Sequence, residues 1–590
     1  MMLKNFFISM LGALTAFWIS IMLLFILGVV FAAGTIVSAI GGAASVAVEK
    51  NSVLYLPLSG VIEERQTAVE FASLINQEAR PVALDDIIRS ISAAAEDDRI
   101  EGIYLDCQGA SAGVATRLAI RKALEDFKKG GKWVVAYADS YTQGDYYVAS
   151  VASEIYLNPI GAVDIHGLGS LIPFFKGLFD KLGVEMQVVK VGTYKSAVEP
   201  YIMTEMSEPA REQTLVFLTN IWNQITVDIK ASRGVSVEAL NQMADSLVAL
   251  GNGSDYFVEN KLVDGLAYQR QVTDKLKEKV GLKADDALRS VYFGDYLQVA
   301  DVPHEKSNKN KIAVYYAFGN IVDHGSQGIS AEQMVPEITD LADDDDIKAM
   351  VLRVNSGGGS AFASEQIWEA LQYFKSKGKK LYVSMGDYAA SGGYYISCGA
   401  DRIYAEPVTL TGSIGIFGMM PCAQQLAQNI GVSISTVTTN NGNAVFPNLF
   451  EPMTPTQRSA MQREVDNGYE LFTRRCAEGR GISQDSIKVI GEGRVWDGLM
   501  ARKLGLVDAL GSLDQAVGDL AKDMKYTAYQ VVSYPNPDKS FWDIISDFDR
   551  QMKVRAIREE LGAAYPLYQE YKAVAGMERI QARIPYMIVE

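Results

Sequence analysis

The chain has 590 residues, 48 % of them hydrophobic, and a formal net charge of −16 at pH 7. At ~150 residues per domain this length predicts three or four units, with ample apolar material for their cores. The acidic balance, with no long basic stripe, argues against nucleic acid as a partner. The four cysteines (Cys107, Cys398, Cys422, Cys476) include no C-x-x-C, so neither a zinc ribbon nor a thioredoxin-type pair is visible. Spacing alone does not tell whether any of them pair. Only three histidines occur, His166, His304 and His324, and none lies in H-E-x-x-H. That scarcity makes a lysine more attractive than a histidine wherever a base is needed.

From Asn5 to Val48 there is no charged residue, a run of 44. Its most apolar part, 6–33, exceeds both the ~20 residues that span a bilayer and the ~7–15 of a secretory signal core. The expectation for residues 1–48 is an uncleaved transmembrane anchor, with Lys4 marking the cytoplasmic end. No second run of that length follows, so the bulk of the chain is expected outside, in the periplasm if the cell has an outer membrane.

Residues 49–300 read as a first domain. It opens with the strand-like SVLYLPLSGVI, continues with a strand at Gly102–Leu105, and then a helix burying Leu118, Ala119, Ala123, Leu124 and Phe127. A strand at Trp133–Ala138 follows. This alternation predicts βαβ units with largely parallel strands. The polar segment 301–311 reads as a linker, and a second domain, 312–540, opens with IAVYYAFGNIV and repeats the order of elements. DYYVASVASEIYLNP (145–159) lies over GYYISCGADRIYAEP (393–407) at a constant offset of 248. SEPAREQ falls near TPTQRSA, ASRGVS near AEGRGIS, and NKLVDGL near RKLGLVDAL. The chain is therefore a tandem duplication in which each unit is a whole domain rather than a solenoid repeat.

The chemistry concentrates in 351–418. Strands at Ala349–Val354 and Lys380–Met385 each end in a small-residue turn followed by a helix start. Ile367, Ala370, Leu371 and Phe374 share one helix face. In the second turn, Ala389–Gly393, Ser391 is flanked by residues with almost no side chain, so a polypeptide backbone can reach it. A helix beginning there would point free N–H groups at developing negative charge. The Gly357–Gly359 turn on the neighbouring strand can supply a second donor, since glycine lets backbones approach closely. Small-residue turns more often serve tight packing, and glycine-rich turns can also hold phosphate, yet neither phosphate-loop nor dinucleotide spacing occurs in this stretch.

The duplication has decayed unevenly. At the 248 offset Ser391 faces Gln143 and Gly358 faces Ala110, whereas Lys195 of the first half faces Asn443. One half keeps a hydroxyl and the other an amine, which reads as division of labour. A lysine serves as a base only when neutral, so its pKa must fall from about 10.4 by burial. Tyr194, Ala197, Val198, Pro200 and Tyr201 would favour such a dry pocket. Nothing marks the nearby Lys190 beyond an ordinary surface charge.

NSGGGS (355–360), AASGGYYIS (389–397), LTGSIGIFG (410–418) and GTYKSAVEP (192–200) together resemble the signal peptide peptidase A family in its long, tandem-repeat form. These are membrane-bound bacterial serine proteases of the Clp protease and crotonase superfamily. The likeness covers most of residues 50–540. It departs at Gly357, where the family's N-S-P-G-G-S has proline. The resemblance implies an α/β fold of two tandem Clp/crotonase-like domains with parallel-rich sheets, preceded by one transmembrane helix. It implies Ser391 as nucleophile, Lys195 as general base, Ser413 as the lysine's hydrogen-bond partner, and the N–H groups of Gly358 and Gly392 as the oxyanion site. It implies no metal or cofactor, remnant signal peptides as substrates, a homo-oligomer, often a tetramer, and a single-pass place in the bacterial inner membrane. A crotonase-like acyl-CoA enzyme and a non-catalytic membrane scaffold are the alternatives; the first gives Lys195 no task. The tail, 541–590, has helical spacing broken at Pro566, and its ending, MERIQARIPYMIVE, alternates like an edge strand. The acid run Asp343–Asp346 reads as a solvated turn rather than a metal site.

Overall fold

The computed structural model describes residues 48–65, 82–325, 328–535 and 580–584. The anchor expected over 1–48 and most of the 541–590 tail thus lie outside the described residues. Among the described residues no helix is long and apolar enough to cross a membrane.

Each half builds one sheet, and the two sheets have the same strand order. In the first half Gly265–Leu266, Glu154–Leu157, Trp133–Ala138, Ile100–Cys107, Ser52–Leu58 and Ser290–Tyr292 lie side by side, all parallel. In the second half the matching series is Ala509–Leu510, Arg402–Ala405, Lys380–Ala390, Ile347–Ser356, Lys311–Phe318 and Gln530–Tyr534, again parallel. The central strands are runs of buried aliphatic residues, as expected where helices cover both faces. The equivalences continue beyond the sheets. Tyr141 bridges Val163 as Ala389 pairs with Thr411, and Val61 bridges Ser111 as Ile321 pairs with Gly359. These registers set Gln143 at the position of Ser391 and Ala110 at that of Gly358.

A third sheet fastens the halves together. Glu185–Lys190 of the first half pairs antiparallel with Phe417–Cys422 of the second. Ile580–Arg583 follows, then Gly358–Ser360, Ile321–Val322 and Ile329–Ser330. The alternating C-terminal segment does form a strand, but it lies inside this sheet and not at its edge. A two-residue period reports a strand and is silent about how many neighbours it has.

Polar contacts buried between the halves complete the junction. Arg353 forms a bidentate pair with Glu64, at 3.0 Å for each bond, and both side chains are almost fully buried. Asn355 Nδ2 donates to the same carboxylate at 2.9 Å, while its Oδ1 accepts from Tyr388 N–H at 3.1 Å. Thr116 Oγ1 donates to Asp387 at 2.6 Å. All four cysteines are free and buried. Asp343 and Asp346 are held by Lys377 and Lys311, at 2.8 and 2.7 Å.

Breaking a buried ion pair from one side leaves an unpaired charge in a dry place. Arg353→Met is therefore expected to destabilise the protein by about 3–5 kcal/mol in chemical denaturation. Adding Glu64→Gln should recover part of that loss, and a cycle in which the two changes simply add would show that the pair is not coupled.

Candidate active site

The strand Lys380–Ala390 reverses into the helix Gly392–Ser397 through a single residue, Ser391, at φ 56° and ψ −113°. A residue with a β-carbon rarely adopts this conformation, so surrounding bonds must hold it there. Ser391 N–H donates to Gly412 O and Ser391 O accepts from Tyr395 N–H, both at 2.8 Å. The sharp turn sets the hydroxyl at its tip. It also requires the glycines that follow, because a β-carbon on Gly393 would stand 2.6 Å from Ser356 O.

Lys195 reaches this hydroxyl from the first half. After the strand Glu185–Lys190 the chain lies directly on second-half backbone: Val191 N–H donates to Ile416 O at 3.0 Å and Tyr194 N–H to Glu492 O at 2.9 Å. Gly493, at φ +75°, is the close approach that permits this, since Lys195 Cβ occupies the place where a side chain would start. The lysine is 1 % exposed. Its Nζ lies 2.7 Å from Ser391 Oγ, 3.1 Å from Ser413 Oγ and 3.3 Å from Ser413 O. Burial pushes the amine well below the usual lysine range, and no charged neighbour among the described residues adds to or opposes that shift. A neutral amine has two N–H bonds and one lone pair. The two Ser413 oxygens can accept the N–H bonds, which leaves the lone pair for the Ser391 hydroxyl.

Ser413 is itself fixed, with its N–H on Arg494 O at 2.7 Å and its Oγ on Gly493 O at 3.2 Å. Gly358, at φ +98°, lies against Gly392: a β-carbon on Gly358 would stand 2.8 Å from Gly392 N. The same β-carbon would stand 2.0 Å from Ala582 O, so a peptide carbonyl rests over the pair. Gly358 N–H donates to Ser356 Oγ at 3.1 Å. The N–H of Gly392, first in its helix, has no place in the helical ladder. All five residues singled out from the sequence therefore converge. The histidines lie elsewhere: His166 is 3.0 Å from Asp164, His304 stacks on Tyr529, and His324 is 3.6 Å from Glu332.

The first half has closed its own copy. Gln143 fills the place of Ser391; its Oε1 accepts from the N–H groups of His166 and Gly167, and its Nε2 donates to Gly167 O, each at 2.9 Å. Asp145 Oδ2 accepts from Gly109 N–H at 2.8 Å, beside Ala110. Burial raises that carboxyl, against the pull of Arg117 and the backbone N–H groups.

Three features escaped the sequence reading. Lys190 is half-buried, not a plain surface charge, and donates to Lys195 O at 3.3 Å. Gly493 left no local signal beyond its place after Gly491. Ala582 lies far along the chain, and its alternation indicated only a strand.

A strained serine turn on a parallel-rich α/β sheet, with a buried amine against its hydroxyl, suits the class of serine proteases. Residues 126–283 and 373–527 match the model of Peptidase family S49, and 320–409 match Clp protease. The chain belongs to family S49. It is 36 % identical to Protease 4 of Haemophilus influenzae over 492 residues, 81 % of this chain and 80 % of that one. It is 34 % identical to Protease 4 of Salmonella typhi, covering 84 % and 82 %. The chloroplastic serine protease SPPA of Arabidopsis thaliana is 29 % identical, covering 85 % of this chain and 73 % of its own. This membership sets aside the acyl-CoA and scaffold alternatives.

Holding an amine out of water opposes folding. With its folded pKa below the unfolded value, Lys195 binds fewer protons in the native state between those two values, so stability rises with pH through that window. Lys195→Met keeps the volume and drops the amine. It is expected to unfold at a higher temperature than the parent at pH 7, with the gap closing as pH rises toward ~10. A lower midpoint at pH 7 would mean that the amine is not held dry.

Proposed function

We propose that Ser391 and Lys195 are the catalytic dyad of an endopeptidase that degrades extended, apolar peptides at a membrane surface. One observation carries this reading: a fully buried amine, with no charged partner among the described residues, 2.7 Å from the hydroxyl at the tip of a strained turn. Ser391 Oγ attacks a peptide carbonyl while Lys195 takes its proton. Gly392 N–H holds the oxyanion, joined by Gly358 N–H once that group leaves Ser356 Oγ, to which it donates at 3.1 Å in the resting site. Lys195 then gives the proton to the leaving amine, and water releases the acyl group. Ser413 orients the amine throughout. No metal or organic group enters any of these steps.

The substrate reading rests on the sheet. Gly358–Ser360 and Phe417–Gly418 pair on either side of the extended segment Ile580–Arg583, and backbone pairing of this kind would suit an extended peptide of many sequences. Apolar side chains lie beside these strands, among them Ile321 beside Gly392 and Met461 beside Gly418. Signal peptides left in the bilayer after secretion are apolar and extended when released, and a curated relative from Enterococcus faecium, 28 % identical, carries the name putative signal peptide peptidase SppA. The uncharged run 5–48 would anchor the enzyme in the inner membrane, its catalytic halves in the periplasm, close to that supply. A tetramer enclosing the sites would keep folded proteins away from them.

Ser391→Ala should lower kcat for an apolar fluorogenic peptide by about 10⁴-fold or more without lowering the unfolding midpoint. Turnover near the parent's would remove Ser391 from its role. The pH profile tests the base. Because the amine must be neutral, kcat/KM should rise with pH to a plateau whose midpoint lies well below 10. Ser413 oxygens accept N–H bonds and so favour the ammonium, so Ser413→Ala should move that midpoint to lower pH and reduce kcat by about 10–100-fold. An unmoved profile would leave Ser413 a packing residue.

A further inference from the structure

We infer that Gln213 is a positioning residue of this reaction, a first-half amide that sets where the Lys195 amine sits without touching the reacting atoms; this rests on the dyad reading given above. Lys195 lies in the irregular stretch between the strand Glu185–Lys190 and the short helix Glu199–Ile202, so no regular ladder of hydrogen bonds holds its backbone. Its Nζ rides on a flexible four-carbon stem, and the amine is only as well placed as the backbone beneath it. Gln213, on the helix Glu208–Arg233, is 1 % exposed and takes hold of both neighbours of the lysine. Its Nε2 donates to Tyr194 O at 3.0 Å and to Ser196 Oγ at 3.3 Å.

The other end of the same amide holds the second half. Gln213 Oε1 accepts from Val495 N–H at 3.0 Å. Val495 pairs with Gly412, whose carbonyl takes the N–H of Ser391 and whose next residue is Ser413. Arg494, one residue before Val495, accepts the N–H of Ser413 at its own carbonyl, at 2.7 Å. Its Cζ stands 4.5 Å from the ring centres of both Tyr194 and Trp496, and its guanidinium donates to Glu212 at 3.0 Å. Two adjacent residues of one first-half helix therefore grip the flank of the base and, at the same time, the strand that fixes the nucleophile and Ser413.

The choice of side chain fits the task. An amide donates and accepts while carrying no charge. A charged group in this place would bias the protonation of the amine, and a hydrocarbon would take a buried partner from Tyr194 O and Val495 N–H. The duplication singles out the position as well. The helices Glu208–Arg233 and Pro455–Arg480 have the same length and start from hydroxyl caps, Ser207 and Thr454. Laid over each other from those caps, Ala460 takes the place of Gln213, and it is exposed. The buried amide thus occurs in the repeat that supplies the lysine and not in the other. A displacement of about 1 Å at a reacting group can cost ~100-fold in rate, so the effect of losing this hold falls on kcat.

The test compares the full-length parent with Gln213→Met and Gln213→Glu in steady-state cleavage of an apolar fluorogenic peptide as a function of pH, with unfolding midpoints measured in parallel. Gln213→Met keeps the length and drops the amide. Its kcat should fall by about 10–100-fold with KM within about twofold of the parent's. The midpoint of its kcat/KM profile should move to higher pH, because an amine held less firmly admits water and regains its charge. Gln213→Glu keeps the shape and the acceptor for Val495 N–H. Once ionised it has no hydrogen to give Tyr194 O, so its profile should fall at high pH where the parent's stays level; this arm carries the test if the methionine variant does not fold. A kcat and profile like the parent's in either variant overturns the inference, as does a loss confined to KM or to the unfolding midpoint. Failure of both variants to fold overturns it too, since the amide would then serve the fold and not the reaction. A Ser391→Ala protein that hydrolyses the peptide at the parent's rate overturns the dyad reading itself, which separates that failure from a Gln213 that only packs.

Discussion

Everything at this site depends on one contact that water would abolish: an amine touching a hydroxyl, with no carboxylate among the described residues to keep it charged. In bulk solvent the lysine would be an ammonium and the serine an inert alcohol. Here the amine comes from one repeat and the hydroxyl from the other, so neither half alone can exclude water from the pair. The dry pocket is a product of the junction, and the burial of the amine depends on the stability of that junction.

The junction is built so that the two backbones touch. The strand Glu185–Lys190 leaves its own repeat to pair with Phe417–Cys422, which carries Lys195 onto the loops around Ser413 and Gly493. Glycine at 493 is needed because a side chain there would take the lysine's place. On the far side Glu64 and Arg353 lock the first repeat to the strand that leads into the Gly357–Gly359 turn. A buried pair of this kind adds little net stability compared with well-packed apolar groups, but it penalises any displaced arrangement of the halves. Site and junction therefore share one strand, Ile347–Ser356.

Much of this was legible in the chain itself. The alternation of Val, Ile and Leu runs with helical periods gave a parallel-rich α/β architecture, and the 248 offset exposed the duplication. Comparing the repeats position by position pointed to Ser391 and Lys195, because each was present where its counterpart had been replaced. Contacts that depend on distant backbone were not legible. The period of residues 580–583 is the same whether a strand lies at an edge or between two neighbours, and a glycine such as Gly493 gives no sign of which side chain it makes room for. Lys190 looked like any surface lysine because its acceptor, the Lys195 carbonyl, is a backbone atom.

The first repeat has one more lesson. The N–H of Gly109, beside the alanine that stands where the second repeat has Gly358, is already engaged by the side chain of Asp145. A serine at 143 would therefore meet an N–H that is already taken. Gln143 is bonded in place in the same way, through His166 and Gly167. Such locking acts as a ratchet: the first repeat's own hydrogen bonds hold the positions that match Ser391 and Gly358 in a different arrangement.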